Sequence, residues 1–584
     1  MGNKHWILAA ASGILLSIPF LIPQTGWVSL FALVPLFFAE NSLSGKHHIA
    51  DSLPSDSNKR KSTGGTARNQ TARKPKKARY WQIPFAAFLI WNAVSTFWIW
   101  NATPAGAVAA IILNSLQMLA IFQLFRLAKW LSSKNEGASS FQYFPYLFLT
   151  ILWIGWEHIY FTWNVSWPWL TLGNSLASSV WMAQWYEFTG VEGGSLWILL
   201  SNIFIFRLIM LYKEKKGKGD LAIAVKELKK TGYAALAIVL LPVAVSLLQY
   251  ASFKEDASAG KENFVVLQPN IDPFTEKFAD MEQAKQNARL LGLASRAIES
   301  IDQNSEYWVV APETFIYPRG WNDIIWENMP VANENFLQLY NYTVQHSGMN
   351  MIAGACTHLK YETDPGNLTA SYLPSEGKWF DSFNTAIHFG ADANFSFYHK
   401  SKLVTVVEST PYPRFMKWLA SKGSALAASM GGYGTQDTRT VFMNGKGKKV
   451  GCAICYESVF GDYYREYILN GAQAMTIITN DGWWGNTPGY RQHLSYASLR
   501  AIETRRAIAR SANTGISAFI NQRGNIVEKS EWWTEDCLAM QLPLSNRITV
   551  FVQYGDIIGR ICKFLSILML LLLAVRLVMY KKAV

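Results

Sequence analysis

The chain has 584 residues, half of them hydrophobic and only 16% charged, with a formal net charge of +13. An ordinary soluble protein carries about 25% charged residues, so length and composition exclude a single small soluble domain. A basic excess fits either nucleic acid or cytoplasmic membrane loops, and the position of the charges decides between them.

Apolar runs long enough to cross a bilayer, which takes roughly 20 residues each, lie near 5–22, 25–40, 81–101, 104–128, 142–163, 192–212 and 233–251, with an eighth near 557–579. The first run follows Lys4 and reads as a signal peptide or as an uncleaved helix. No clear small-x-small cleavage site with a polar mature start follows it, and a second apolar run comes at once, so the uncleaved helix is favoured. The expected organisation is a transmembrane domain over 1–255 holding seven helices, a globular domain over 260–545, and an eighth helix over 556–580.

The segment 41–80 carries ten Lys and Arg residues, from Lys46 to Arg79, against Asp51 and Asp56. It is also rich in Ser, Thr, Gly and Asn, the composition of a disordered loop. Further basic loops hold Lys129 and Lys134, then Lys213 to Lys230, and Lys581 and Lys582 follow the last helix. With eight crossings the positive-inside rule sets all four on the cytoplasmic side and the globular domain outside. A nucleic-acid tail is the competing reading of 41–80, and the helices on both sides of it argue against that. The stretch from Trp163 to Trp185 carries five Trp and reads as an interfacial belt. Glu157 lies inside the fifth apolar run, where an acid costs about 2.5–3.5 kcal/mol on insertion scales. Either it lies near the hydrated outer end or it has a structural or functional partner.

In the globular domain, strand-like runs at Phe264–Leu267, Tyr307–Ala311, Met349–Gly354, Thr385–Phe389, Val450–Ile454, Ala474–Thr479 and Gly515–Ile520 alternate with helix-like stretches around 279–302, 331–346, 461–470 and 491–511. Most of the strand runs are continuously apolar, which predicts sheets covered on both faces and a layered α/β domain.

Three motifs stand out. Ala311-Pro312-Glu313-Thr314 sets a carboxylate on the loop leaving a strand, where catalytic groups are commonly presented, although a solvated or capping Glu is the commoner occupant. Tyr398-His399-Lys400 ends another strand, with Glu408 eight residues on. Gly451-Cys452-Ala453-Ile454-Cys455-Tyr456-Glu457 ends a third in a Cys at a strand-to-helix elbow, where backbone N–H groups favour a thiolate. Cys452 and Cys455 have CxxC spacing, but the first lies inside a strand, and no second ligand pair exists for zinc. Five Cys in all leave at least one unpaired, so a disulfide framework is not the leading reading. A Cys nucleophile needs a base and an oxyanion stabiliser. His346, His358, His388, His399 and His493 sit in no recognisable triad motif, whereas Glu313 as base, Lys400 as oxyanion stabiliser and Cys455 as nucleophile supply every part.

In that order, Glu, Lys and Cys resemble the nitrilase superfamily, and the surrounding residues resemble its membrane branch, the apolipoprotein N-acyltransferases. The resemblance rests on Gln268-Pro269-Asn270-Ile271, Pro312-Glu313-Thr314, Tyr398-His399-Lys400 with Glu408, Ile454-Cys455-Tyr456-Glu457, Thr479-Asn480-Asp481-Gly482-Trp483-Trp484-Gly485 and Arg510-Ser511-Ala512-Asn513-Thr514-Gly515. In the membrane half, Glu157, Trp167-Pro168-Trp169-Leu170, Gly173 and Gly190-Val191-Glu192 add to it. It implies a nitrilase-like α-β-β-α sandwich inserted in an eight-helix transmembrane domain. It further implies a ping-pong transfer of an acyl chain from a phospholipid through a Cys455 thioester to the diacylglyceryl-cysteine amine of an apolipoprotein. Glu408, Tyr456 and Glu457 would support the site, and Phe278, Trp483 and Glu157 would contact substrate. No cofactor or metal, no nucleic acid and a monomer in the bacterial inner membrane, with the catalytic domain facing the periplasm, complete the expectation. The apolar stretch Tyr412–Gly434, with Phe415, Trp418 and Met430, reads as a mobile arm over the bilayer or as a packed surface loop.

The sequence departs from the family pattern twice. After Lys400 the loop to Glu408 lacks the usual Pro and Gly, and Phe278 stands at a shifted spacing where the family has a Trp. A membrane-anchored nitrilase-type amidohydrolase is the close rival, but an anchor needs one helix, not eight. A transporter would show internal repeats and several intramembrane charges, and a scaffold would have no need of the Glu, Lys and Cys.

Overall fold

The structure is a computed structural model that describes residues 3–51, 80–134, 144–216, 221–302, 305–422 and 432–583. All eight apolar runs are helical. Six helices are long and apolar enough to cross a membrane: Asn3–Leu21, Gly26–Leu43, Pro104–Ser133, Tyr186–Glu214, Val225–Ser252 and Ile557–Lys582. The other two, Gln82–Thr96 with its one-turn extension Ile99–Ala102, and Phe144–Tyr160, are shorter. The second helix runs on to Asp51, so the basic insert begins as helix rather than as loop; residues 52–79 lie outside the described residues.

Local chemistry explains several helix ends. Thr103 accepts a hydrogen bond from Gly106 N, and Pro104 follows at the first helical position, where its missing N–H costs nothing. The helix Tyr186–Lys216 kinks at Gly190, which has φ +63°. A Cβ there would come within 2.4 Å of the Phe551 ring, so both the turn and the packing call for glycine. Buried amides join the helices where apolar contact gives little drive. Asn114 donates to Asn92 at 2.7 Å, and Asn202 accepts from Leu33 N at 2.7 Å while donating to Ser29 O at 2.8 Å.

The catalytic half is two sheets packed face to face with helices outside. In the first, strands β1 (Lys261–Gln268), β2 (Tyr307–Val310), β4 (Met349–Tyr361) and β6 (Lys378–Phe389) run in spatial order, with β14 (Asp536–Pro543) beyond β1 and β5 (Ser371–Leu373) beyond β6. The short β3 (Ile325–Trp326) pairs with β4, and β7 (Ser396–His399) with β6. β1, β2 and β4 are parallel; β14 returns antiparallel along β1, and β6 along β4. The second sheet has the order β13 (Ile526–Lys529), β12 (Ala518–Ile520), β11 (Ile508–Ala512), β10 (Ala474–Thr479), β9 (Lys449–Ile454), β8 (Val441–Met443), parallel through β9, β10 and β11. Alternation assigns the layers. Val265, Leu267, Val309 and Met351 pack with Leu290 and Leu293 of the helix Gln283–Ile298, while Phe264, Val266, Val310 and Ile352 pack with the second sheet. This is the expected α-β-β-α sandwich.

The short edge strands β3, β5, β8 and β13 were not expected, and two longer elements also differ from expectation. The stretch 491–511 is a helix only over Pro488–Thr504; Arg505 turns left-handed at φ +50°, and Ile508–Ala512 becomes the central strand β11. Arg510 disguises that strand, because a charged residue reads as exposed when its buried partner is unseen. The strand β14 was not expected at all, since its residues are mixed in polarity.

Gln492, on the helix Pro488–Thr504, fastens the two halves. Its Oε1 accepts from the indole N–H of Trp98 at 3.1 Å and of Trp169 at 2.7 Å. Its Nε2 donates to Phe20 O and Ser95 O. Since each orphaned buried polar group costs about 1–3 kcal/mol, we expect Gln492→Leu to lower stability by roughly 3 kcal/mol or more, read as a lower thermal midpoint of the detergent-purified protein.

Candidate active site

Three strand ends converge. Glu313 lies on the loop after β2, Lys400 directly after β7, and Cys455 directly after β9, so the acid and the lysine come from one sheet and the thiol from the other. Lys400 is buried, and its Nζ lies 2.8 Å from Glu313 Oε1 and 2.7 Å from Glu408 Oε1. Asn384 Nδ2 bridges the same two oxygens, at 2.9 Å to Glu313 and 3.1 Å to Glu408. The free Glu408 oxygen accepts from Val404 N at 2.8 Å, closing the loop on itself. That loop therefore delivers Glu408 without the usual Pro and Gly, with Val406 taking φ +73° on the way.

Electrostatics follow from this packing. Burial opposes the Lys400 charge, yet the carboxylates of Glu313 and Glu408 hold the ammonium well above its usual value. Burial would raise the Glu313 carboxyl, but Lys400, with Asn384 and Lys277, holds it below the usual range. Burial and then the Glu313 charge push the Cys455 thiol up, with Lys400 opposing. The resting arrangement is a neutral thiol beside an ionised carboxylate, the pair that general-base activation requires.

Cys455 itself is strained, with φ +51°, at the start of a single 3-10 turn Cys455–Val459. Glu457 holds this elbow: its carboxylate accepts from Ile454 N at 2.8 Å, Ser401 N at 2.7 Å, and the hydroxyls of Tyr398 and Tyr463 at 2.7 Å each. One buried carboxylate thus ties the turn of Cys455 to the residue after Lys400. Tyr456 faces the membrane half, donating its hydroxyl to Ser166 O at 3.1 Å and stacking on Trp167 at 6.0 Å. Cys452, by contrast, is buried inside β9, and burial pushes its thiol up to about 12.

Two family models match this chain: the apolipoprotein N-acyltransferase N-terminal domain over residues 12–204 and carbon-nitrogen hydrolase over residues 268–550. The apolipoprotein N-acyltransferase of Chlorobaculum tepidum is 28% identical over 511 residues, 85% of this chain and 88% of that one. The protein of the same name from Geobacter metallireducens is 24% identical over 432 residues, 74% of this chain and 73% of that one. Along most of its length the chain is similar to apolipoprotein N-acyltransferases. Among solved structures, a nitrilase-superfamily protein of Saccharomyces cerevisiae aligns at 16% identity with a TM-score of 0.34, over 48% of this chain and 90% of that one.

Around this site the structure gathers Glu313, Lys400, Glu408 and Cys455, with Tyr456 and Glu457 on the elbow. Phe278 and Trp483 stack on each other, with ring centres 5.5 Å apart at 16°, so the Phe at the shifted spacing meets the Trp of the other sheet. Glu157 is not part of this group. It is buried, accepting from Trp153 Nε1 at 3.0 Å and from Leu172 N at 2.9 Å, where it anchors the chain after the fifth helix. Phe415 and Trp418 lie on the exposed helix Pro413–Ser421 and stack at 5.7 Å, while Met430 lies outside the described residues. A cavity of about 600 Å³ opens between this helix, Trp163 and the Ser401–Thr405 loop. A second, of about 360 Å³, continues past Lys402 towards Arg439 and Asp556. Among the described residues no group of His, Cys, Asp or Glu is arranged to hold a metal ion.

Sequence reading missed Asn384, for which there was no signal, and the chain of residues beneath the elbow. His493 Nε2 lies 3.1 Å from Cys455 O and 3.0 Å from Ser458 Oγ, so it grips the backbone and not the thiol. Its Nδ1 meets Asp481 at 3.0 Å, and Arg510 meets the other Asp481 oxygen at 2.6 Å. Burial would raise the Asp481 carboxyl, but Arg510 and His493 bring it down to about 2. An Asp with a value near 3.9 when unfolded therefore adds stability that is complete above that pH and is lost as pH falls through about 2. We expect Asp481→Asn to cost roughly 3–5 kcal/mol at pH 7, the price of leaving a buried charge unpaired. In thermal unfolding at a series of pH values, the gap to wild type should narrow as pH falls below about 4.

Proposed function

We propose that the protein transfers a fatty acyl chain from a membrane phospholipid to the N-terminal diacylglyceryl-cysteine amine of apolipoproteins, by way of a thioester on Cys455. The observation that carries this reading is Glu313 paired at 2.8 Å with a buried Lys400, at strand ends that converge on the Cys455 elbow. Support from the membrane half comes through Tyr456, the residue next to the nucleophile, which is held by Ser166 and Trp167. A soluble-type amidohydrolase with an anchor has no need of that coupling.

In the first half-reaction Glu313 takes the Cys455 proton as sulfur attacks the phospholipid ester carbonyl. Lys400 and backbone N–H groups at the elbow face the oxyanion. Collapse breaks the ester C–O bond, Glu313 returns the proton to the leaving glycerol oxygen, and a lysophospholipid departs. In the second, the acceptor amine attacks the thioester, Glu313 takes a proton from nitrogen, and collapse expels the sulfur, which is reprotonated. Phe278 and Trp483 form an apolar flank to the site, and the 600 Å³ cavity beneath the helix Pro413–Ser421 is within the usual size of a ligand pocket. The positive-inside pattern of the basic loops supports an outer-face position for this domain on a bacterial inner membrane. Residues 1–255, 260–545 and 556–580 act as membrane domain, catalytic domain and closing helix, in a monomer.

The test is intact-mass analysis of the purified protein after incubation with phospholipid and no acceptor. A fatty-acyl mass removable by hydroxylamine is expected on wild type and on Cys452→Ser, and none on Cys455→Ser. An adduct that survives Cys455→Ser, or that Cys452→Ser alone abolishes, would overturn the choice of nucleophile.

A further inference from the structure

The segment Pro273–Asp280 winds as a π-helix, a rare form that is frequent at functional sites. It carries Lys277 inward, where the side chain is 2% exposed. Its Nζ donates to the backbone oxygen of Glu313 at 2.9 Å and to Thr314 Oγ1 at 3.3 Å, and lies over the Phe278 ring at 5.1 Å. The peptide it grips is strained, since Thr314 has φ +46° and a β-branched residue there is disfavoured. Three further bonds lock the segment that carries it. Gln286 Nε2 and a guanidinium nitrogen of Arg319 both donate to Lys277 O, each at 3.2 Å, and Asp272 caps Phe274 N. A buried ammonium is costly unless paired, and the one carboxylate that acts on Lys277 is Glu313.

We infer that Lys277 is a positioning residue for the acyl-transfer reaction: it fixes the main chain of Glu313 and adds a second positive charge to the Lys400 side of the general base. This rests on the thioester reading given above. Burial pulls the Lys277 ammonium down to about 7, opposed only by Glu313, so its charge and that of the base are linked. The charged and titratable groups facing Glu313 are Lys400 at the end of β7, Glu408 across Lys400, Cys455 at the elbow, and Lys277 itself. Arg319 touches only the backbone of Lys277 and leaves that balance unchanged. Removing the Lys277 charge raises the Glu313 carboxyl, because a nearby cation favours the ionised form. The acidic limb of acyl-enzyme formation then moves to higher pH. Loss of packing alone leaves that limb where it is.

The experiment measures the rate of the hydroxylamine-sensitive acyl adduct from pH 4 to pH 9 on the full-length protein in phospholipid-containing detergent micelles, for wild type, Lys277→Met and Lys277→Arg. In Lys277→Met we expect a rate at pH 7 lower by about tenfold and an acidic limb displaced upward by about one pH unit, the tenfold equivalent. Lys277→Arg should keep the wild-type limb. Where Lys277→Met does not accumulate as folded protein, Lys277→Gln serves, neutral but still able to donate to Glu313 O, with the same displacement expected. A limb that stays at its wild-type pH in the neutral variant overturns the inference, whether or not the rate falls. No adduct on the wild-type protein overturns the acyl-enzyme reading itself, and the two failures are therefore distinct.

Discussion

A single buried ammonium organises the candidate site. Lys400 sits between Glu313 and Glu408 with almost no contact with water, and the three groups together carry one net negative charge. Removing Lys400 would leave two carboxylates unpaired in a low-dielectric interior, a loss of several kcal/mol. The trio therefore binds three otherwise independent pieces of chain: the end of β2, the end of β7 and the loop that returns Glu408. Burial and then the Glu313 charge push the Cys455 thiol up, while Lys400 opposes them.

The same logic extends from the site to the membrane helices. Tyr456 is one residue from the nucleophile, yet its hydroxyl and its ring are both held by the loop after the fifth helix. Gln492 closes the seam from the other side, spending all its hydrogen-bonding capacity on Trp98, Trp169, Phe20 and Ser95. Glu187, at the start of the kinked helix, pairs with Arg505 at 3.0 Å and Arg547 at 2.8 Å. Apart from the exposed Arg547, these contacts are largely buried and polar, and each is satisfied only in one register. The membrane half thus shapes the catalytic elbow as well as carrying it.

The eight helices and both sheets were legible because long apolar runs and short continuous strands leave a signal in one dimension. Glu313, Lys400, Glu408 and Cys455 were legible because each closes a recognisable strand and their order is informative. What escaped reading is what depends on a partner distant in sequence. Arg510 looks solvent-exposed until Asp481 is found across the sheet, and so β11 was taken for helix. Asn384 lies mid-strand with nothing local to distinguish it, yet it bridges both carboxylates. Glu157 could be read as structural or functional because an acid in a helix is costly, and its structural partners, Trp153 and Leu172 N, become visible only in the fold.

The departures from the family pattern show how one geometry is reached by a different backbone. Where relatives use Pro and Gly between the lysine and the second acid, this chain places Val406 at φ +73°, at an expected cost of about 1–3 kcal/mol. The Glu408 carboxylate, fixed at one oxygen by Lys400 and at the other by Val404 N, holds the loop in that shape. Where the family pattern carries a Trp, Phe278 stands at a shifted spacing on a π-turn, and its ring stacks on Trp483. Strain at Thr314 and Cys455 is held in the same manner, by Lys277 on one side and by Glu457 on the other. At Thr314 and Cys455 the left-handed residue is thus secured by a charged side chain that bonds to the adjacent backbone, so the shape of the candidate site is tied to its charge.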